Sequence, residues 1–175
     1  MDTLEAIRTV RVIRKFSDAP VTDDEVRSLV NTARRAGSSK NLQRWEYIVV
    51  RDRGTLGRLS KVGPYAGHVA GANVAVAMLV PRPPDGTWAP AESVMWDLGR
   101  AAQNMVLAAW SLGIGSAPAT VYDEPLCRSI LGYPEDRFCG YVWSFGYPQS
   151  ESDLTRPPKA GGRRALDEMV HWEHW

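Results

Sequence analysis

Very little in this sequence is lopsided. Its 21 lysines and arginines nearly cancel 20 aspartates and glutamates, leaving a formal net charge of +1. A positive surplus over the whole molecule is missing, and with it the footprint of a protein that coats nucleic acid. Cysteine is scarce. Cys127 and Cys139 are too few for a disulfide scaffold, and no CxxC or Cys/His cluster suggests zinc. A reduced, cytoplasmic setting is the expectation. No apolar run reaches the length of about 18 residues that marks a membrane span. "MDTLEAIRTV" also lacks the long apolar core of a secretory signal. The familiar catalytic signatures are missing too, with no GxSxG elbow, no HExxH and no Walker loop. Histidine occurs at 68, 171 and 174, and "HWEH" does not have the spacing of a helical zinc pair. An enzyme that displays no acid, base or nucleophile of its own leaves the chemistry to a cofactor.

What is present is a domain's worth of helix and strand. A length of 175 residues suits one domain with a real core. Asp2 to Thr9 reads as a short helix. "VTDDEV" opens a better one, because Thr22 and Glu25 have capping-box spacing and Val26, Leu29, Val30 and Ala33 fall on one face. Gly37 is the expected stop. Trp45–Asp52, Asn73–Val80 and Phe138–Phe145 read as strands, and the second is apolar enough to be buried on both faces. Thr55–Val62 reads as a short helix and 81–86 as a loop. Ala91–Leu112 is the longest helix, rich in alanine on its packing face and stopped at Gly113, with Asp97 as a buried cap or interface acid. A short strand and loop over 114–120 and a helix from Asp123 to Leu131 follow. Strands and helices mix without strict alternation, which predicts an α+β fold. Residues 149–175 read as an extended arm. Its start is polar and its end carries Leu166, Met169, Trp172 and Trp175, large apolar groups that need a surface to dock on.

Two polar clusters stand out. "RTVRVIRKF" spaces arginines at 8, 11 and 14, which suits a solvated face, a nucleic-acid backbone or a single phosphate. "GSSKNLQRW" (37–45) concentrates Ser38, Ser39, Asn41 and Gln43 between the capped helix and the first strand. Its composition alone is that of a turn.

The order of these pieces resembles one family. "RTVRVIRKF" and "GSSKNLQRWEYIVV" resemble the "RRSIRxF" and "APSxxNxQPW…xFIVV" segments of the FMN-dependent nitroreductases. "DLGRAAQNMVLAAWSLGIGSAP" resembles their central helix and following loop, "FGYP" their "GYP" segment, and "RRALDEMVHWEHW" their C-terminal "RKPLEEVVHW". The resemblance spans residues 1–175 as one nitroreductase-like domain. It implies a central mixed β-sheet flanked by helices, in an intertwined homodimer whose C-terminal arms (149–175) are exchanged. It also implies FMN at the subunit interface, with NAD(P)H as hydride donor to flavin N5. A nitroaromatic, quinone or similar small molecule would be the acceptor in a ping-pong cycle, with no nucleic acid and no membrane involved.

Residue by residue, the resemblance places Arg11 and Arg14 on the FMN phosphate, with the Val12 backbone amide between them and Arg163 returning from the C-terminus. Guanidinium forks match phosphate oxygens in pairs. Ser38, Ser39 and Asn41 would reach the flavin of the other subunit, and Gln43 and Trp45 would shape that loop. A backbone amide at Thr120 or Val121 would face N5. Tyr65 and His68 fall near the pyrimidine edge or ribityl chain. Arg8 falls outside the grip. The departures are Val10 for an arginine, Val12 for a serine, Gly37 for a proline, Lys40 for a glycine, Arg44 for a proline and Gly161 for a cation. The short 81–88 segment implies an open site. Two alternatives keep or drop the chemistry: an FMN oxidase or dehydrogenase that needs no nicotinamide, and a non-catalytic flavin-binding protein.

Overall fold

The computed structural model describes residues 1–83, 92–155, 157 and 162–175. Among the described residues the α-helices are α1 (Thr3–Thr9), α2 (Asp23–Ala33), α3 (Arg53–Leu59), α4 (Glu92–Ser111), α5 (Glu124–Leu131) and α6 (Ser152–Thr155). Four strands are formed by β1 (Glu46–Val50), β2 (Val74–Pro81), β3 (Gly115–Thr120) and β4 (Arg137–Gly146). The strands order as β1-β2-β4-β3, and each neighbouring pair is antiparallel. The sheet expected to be mixed is antiparallel through these four strands. The parallel element among the described residues is one isolated bridge, Val12 to Ser116, on the outer edge of β3.

The sheet separates two cores, because successive side chains of a strand point to opposite faces. On one face Val74, Val76, Met78 and Val80 of β2 pack with Val26, Leu29 and Ala33 of α2 and Leu98, Ala101 and Met105 of α4. On the other, Ala75, Ala77 and Leu79 meet Leu56 and Leu59 of α3 and Cys127 of α5. Strand β2 is buried over residues 74–80, which accounts for its unbroken apolar run. Where Met78 pairs Tyr141 and Leu79 pairs Cys139, the register slips by one, leaving Gly140 as the extra residue of a bulge.

Local chemistry sets most boundaries. Thr22 and Glu25 cap α2 reciprocally, as their spacing predicts. Asp123 caps α5 through the Leu126 amide, and Gly132 ends it at φ 71°, in the left-handed region that favours glycine. Gly37 does not stop α2. The helix ends at Ala33, with Arg34 still at φ −64°. The last segment carries Trp172 and Trp175, both exposed, with Leu166 and Met169. His171 stacks on Trp175 at 4.3 Å between centroids.

Candidate functional site

The N-terminal segment is held to the β3 edge by one buried side chain. Ile13 is 1% exposed, and its amide donates to the Ser116 carbonyl at 2.9 Å. It lies so close to Gly115 that a Cβ there would meet the Ile13 Cβ at 2.5 Å. With Ile13 inward, its neighbours Val12 and Arg14 are turned out to solvent. The chain then pairs Phe16 with Pro148, with hydrogen bonds from Ser17 N to Tyr147 O and from Gln149 N to Lys15 O. Between these strips lies a groove of about 510 Å³, lined by Val12, Arg14, Lys15, Gln149, Ser150, Ser152 and Asp153. Two cations face one acid there.

Arg11 has a different setting. Its Nη1 donates to the carbonyls of Thr9 at 2.8 Å and Val10 at 3.1 Å, closing the C-terminus of α1. Its Nε is buried with no partner. Half of this guanidinium is thus committed to helix capping.

The outer edge of β3 continues the site. The Val121 amide donates to the Gly140 carbonyl of the neighbouring β4 chain at 3.0 Å. In an antiparallel pair hydrogen-bonding residues alternate, so the Thr120 amide faces away from β4. Of the two amides that the resemblance implies, Thr120 is the one presented outward. Pro118 has no amide, and its carbonyl on the same edge accepts from His68 Nε2 at 3.2 Å. The Ser144 hydroxyl, 2.7 Å from His68 Nδ1, completes the pair of bonds. Burial pushes the His68 pKa below its ordinary value, the Pro118 carbonyl opposes that shift, and the Arg14 charge adds to it. Arg14 and His68 therefore share one electrostatic neighbourhood. Beneath Thr120, Gly63 is pressed so close that a Cβ would meet the Thr120 carbonyl at 2.6 Å. The Val62 carbonyl takes the amides of both Tyr122 and Asp123. Tyr65 and Tyr122 are exposed here, 6.4 Å apart.

The 37–44 loop is the second part. It lies across one face of α4 at three points spaced four and three residues apart. Arg44 Nη2 donates to Ser93 Oγ at 3.1 Å. The Ser39 amide donates to Asp97, a carboxylate only 4% exposed, at 2.9 Å. The Arg100 guanidinium covers Gly37. Within the loop, Ser38 Oγ accepts from the Gln43 amide and Asn41 Oδ1 accepts from Gln43 Nε2. Lys40, Asn41 and Gln43 have φ of 51°, 54° and 48°. Three non-glycine residues in the left-handed region within four positions mark a backbone that its surroundings hold in place.

In this single chain the predicted residues form separate groups. Val12 and Arg14 meet in the groove, Thr120 ends β3 with its amide outward while Val121 turns back to β4, and Ser38, Ser39, Asn41 and Gln43 sit on the loop over α4. Arg163 lies in the exposed C-terminal segment, and Gly161 lies outside the described residues. Sequence reasoning did not find Ile13, Ser93 or Arg100. The spacing of 93, 97 and 100 on one helical face was the available signal.

An antiparallel sheet between two helical layers, with a cation-lined groove on one edge and a strained polar loop over the central helix, defines an α+β domain with two polar surface features. The comparisons with known proteins give the family. The nitroreductase family model matches residues 7–66 and 60–147. A protein of Archaeoglobus fulgidus, which carries the provisional name NADH dehydrogenase/NAD(P)H nitroreductase, is 32% identical over 99% of both chains. A solved structure with the same provisional name, from Parabacteroides distasonis, superposes with a TM-score of 0.83 at 26% identity, covering 99% of this chain and 98% of that one. A provisionally named nitroreductase from Desulfovibrio desulfuricans, solved in complex with FMN, has a TM-score of 0.80 at 25% identity. The match covers 100% of this chain and 98% of that one. The chain belongs to the nitroreductase family.

Proposed function

We propose that this chain is an FMN-dependent oxidoreductase that moves a hydride from NAD(P)H to a nitroaromatic, quinone or similar small acceptor in a ping-pong cycle. The reading includes a cytoplasmic homodimer whose 149–175 arms dock on the partner subunit. The FMN and NAD(P)H assignments draw on the relatives' names as well as on this chain's residues. The observation that carries the reading is the β3 edge, which is bridged by Val12, close in sequence to the exposed Arg14, and presents the Thr120 amide outward. From the Val12 bridge at Ser116 to Thr120 the strand runs roughly 13 Å.

These residues fit FMN. Bound FMN would accept and release a hydride at N5. Arg14 would hold the phosphate through paired charge-assisted hydrogen bonds, with Lys15 adding charge in the groove. Arg11 would contribute the face not spent on the α1 carbonyls, including its unpartnered Nε. Arg163 of the partner arm or of the same chain would complete the grip. The Thr120 amide would stabilise charge on the reduced ring. Ser38, Ser39 and Asn41 would approach from the other subunit, with Gln43 fixing their loop.

The decisive experiment is anaerobic reduction of the FMN-reconstituted protein by NADH and by NADPH, followed by reoxidation with a quinone or nitroaromatic. Bleaching of the flavin by either nicotinamide and recovery with acceptor is the expected result. A bound flavin that ignores both nicotinamides yet is reduced by another donor would favour the nicotinamide-independent oxidase or dehydrogenase. Protein that binds no FMN would overturn the reading.

A further inference from the structure

The three departures of the 37–44 loop from the pattern it resembles converge on one physical quantity, positive charge. Lys40 stands at φ 51°, ψ 24°, at a position that the quoted pattern leaves open and that the resemblance gives as usually glycine. Glycine enters that region at no steric cost and lysine does not. The chain thus keeps an ammonium group where the backbone favours its removal. Lys40 is exposed and has no hydrogen bond or ion pair among the described residues. Gly37 stands where the pattern has proline, and a Cβ there would lie 2.7 Å from Arg100 Nη2. Any larger residue would make the guanidinium shift from this position. Arg44, also a proline in the pattern, bonds Ser93 through one nitrogen and leaves Nε buried without a partner. Two acids of α4 belong to this stretch, the exposed Glu92 beside Ser93 in sequence and Asp97, which is buried against the Ser39 amide.

We propose that Lys40, Arg44 and Arg100 form a cationic rim that recognises an oxyanion, carboxylate or phosphate, on the small molecule that exchanges electrons at this site. The inference rests on the function proposed above, because it takes the loop to border the flavin. The oxyanion has two possible sources, a carboxylate on an aromatic acceptor or the 2′-phosphate that separates NADPH from NADH. A planar guanidinium and a mobile ammonium serve both.

The test uses binding rather than turnover. Benzoate and benzamide, then NADP+ and NAD+, which carry the same 2′-phosphate difference but no hydride to give, are titrated calorimetrically into the FMN-reconstituted oxidised protein, and the flavin spectrum is recorded at each step. The rim predicts a preference for the anionic member of at least one pair of about threefold or more, eroded by added salt. A preference confined to the benzoate pair assigns the acceptor's carboxylate, and one confined to the nucleotide pair assigns the donor's phosphate. Lys40→Gly and Arg100→Gln should each move the ratio toward one. Lys40→Gly should do so while melting no lower than wild type, since it relieves the left-handed backbone. That split separates recognition from a structural role. Equal affinities within both pairs for the wild type, or a preference intact in the double variant, would overturn the rim. Failure of the functional reading looks different, since the protein would then lack a flavin spectrum or show no reduction by any donor.

Discussion

Two arginines three residues apart do different work, and Ile13 is the reason. Its buried side chain fixes which neighbours face out, so Arg14 lines the groove while Arg11 folds back on α1. Arg14→Ala should therefore weaken FMN binding by on the order of 1–3 kcal/mol, the usual cost of a lost charged hydrogen-bonding group. It should leave the melting temperature and the affinity for riboflavin, which has no phosphate, unchanged. Arg11→Ala should lower the melting temperature as well, because it strips the cap from α1. Flavin fluorescence titrations and thermal melts check both. The arginines themselves were legible in the sequence. The isoleucine that sorts them was not, since Val10, Val12, Ile13 and Phe16 follow no helical or strand period and nothing in their spacing singles out the buried one. The same holds for Asp97, whose acid is visible but whose partner lies 58 residues away.

At the scale of the element, α2 shows how far local chemistry reaches. Thr22 and Glu25 close its N-terminus, and the Tyr147 hydroxyl also donates to Glu25. That hydroxyl first, then Thr22, lowers the Glu25 pKa from its ordinary value. A carboxyl whose folded pKa is depressed adds stability above its unfolded pKa and loses it as pH falls through the folded value. Thr22→Ala should cost about 1 kcal/mol at neutral pH. Tyr147→Phe should flatten the acid limb of the stability curve. Denaturant midpoints between neutral and acidic pH measure both effects. Capping, apolar period and strand composition made α2, β1, β2, α4, α5 and β4 legible to within a few residues. The end of α2 was not, because Ala33 stops the helix without glycine. The left-handed turns at Lys40, Asn41 and Gln43 were also hidden, since α4 holds them in place and local propensity does not encode them.

At the scale of the molecule, the chain leaves a large aromatic surface unspent. Trp172 and Trp175 are exposed by 83% and 102%, and Leu166 by 66%. In the proposed homodimer these groups are buried on the partner. Replacing Trp172 and Trp175 with serine should shift the protein from dimer to monomer in sedimentation velocity and reduce FMN retention. A native monomer that keeps its flavin would sink that proposal. The α+β class followed from the order of helix and strand patterns. The antiparallel pairing of all four strands did not, because a strand that reads as buried on both faces suits parallel and antiparallel neighbours alike.

His68 has one further consequence. Its Nε2 faces a carbonyl that can only accept, so the neutral ring is locked as a single tautomer with its proton on Nε2. That proton is held on the Pro118 carbonyl and its ring is half-buried, while His171 and His174 sit on the exposed tail. The chain thus carries a native spectroscopic reporter. Of three imidazole resonances, one should exchange slowly with solvent, and its shift will register whatever anion settles beside Arg14.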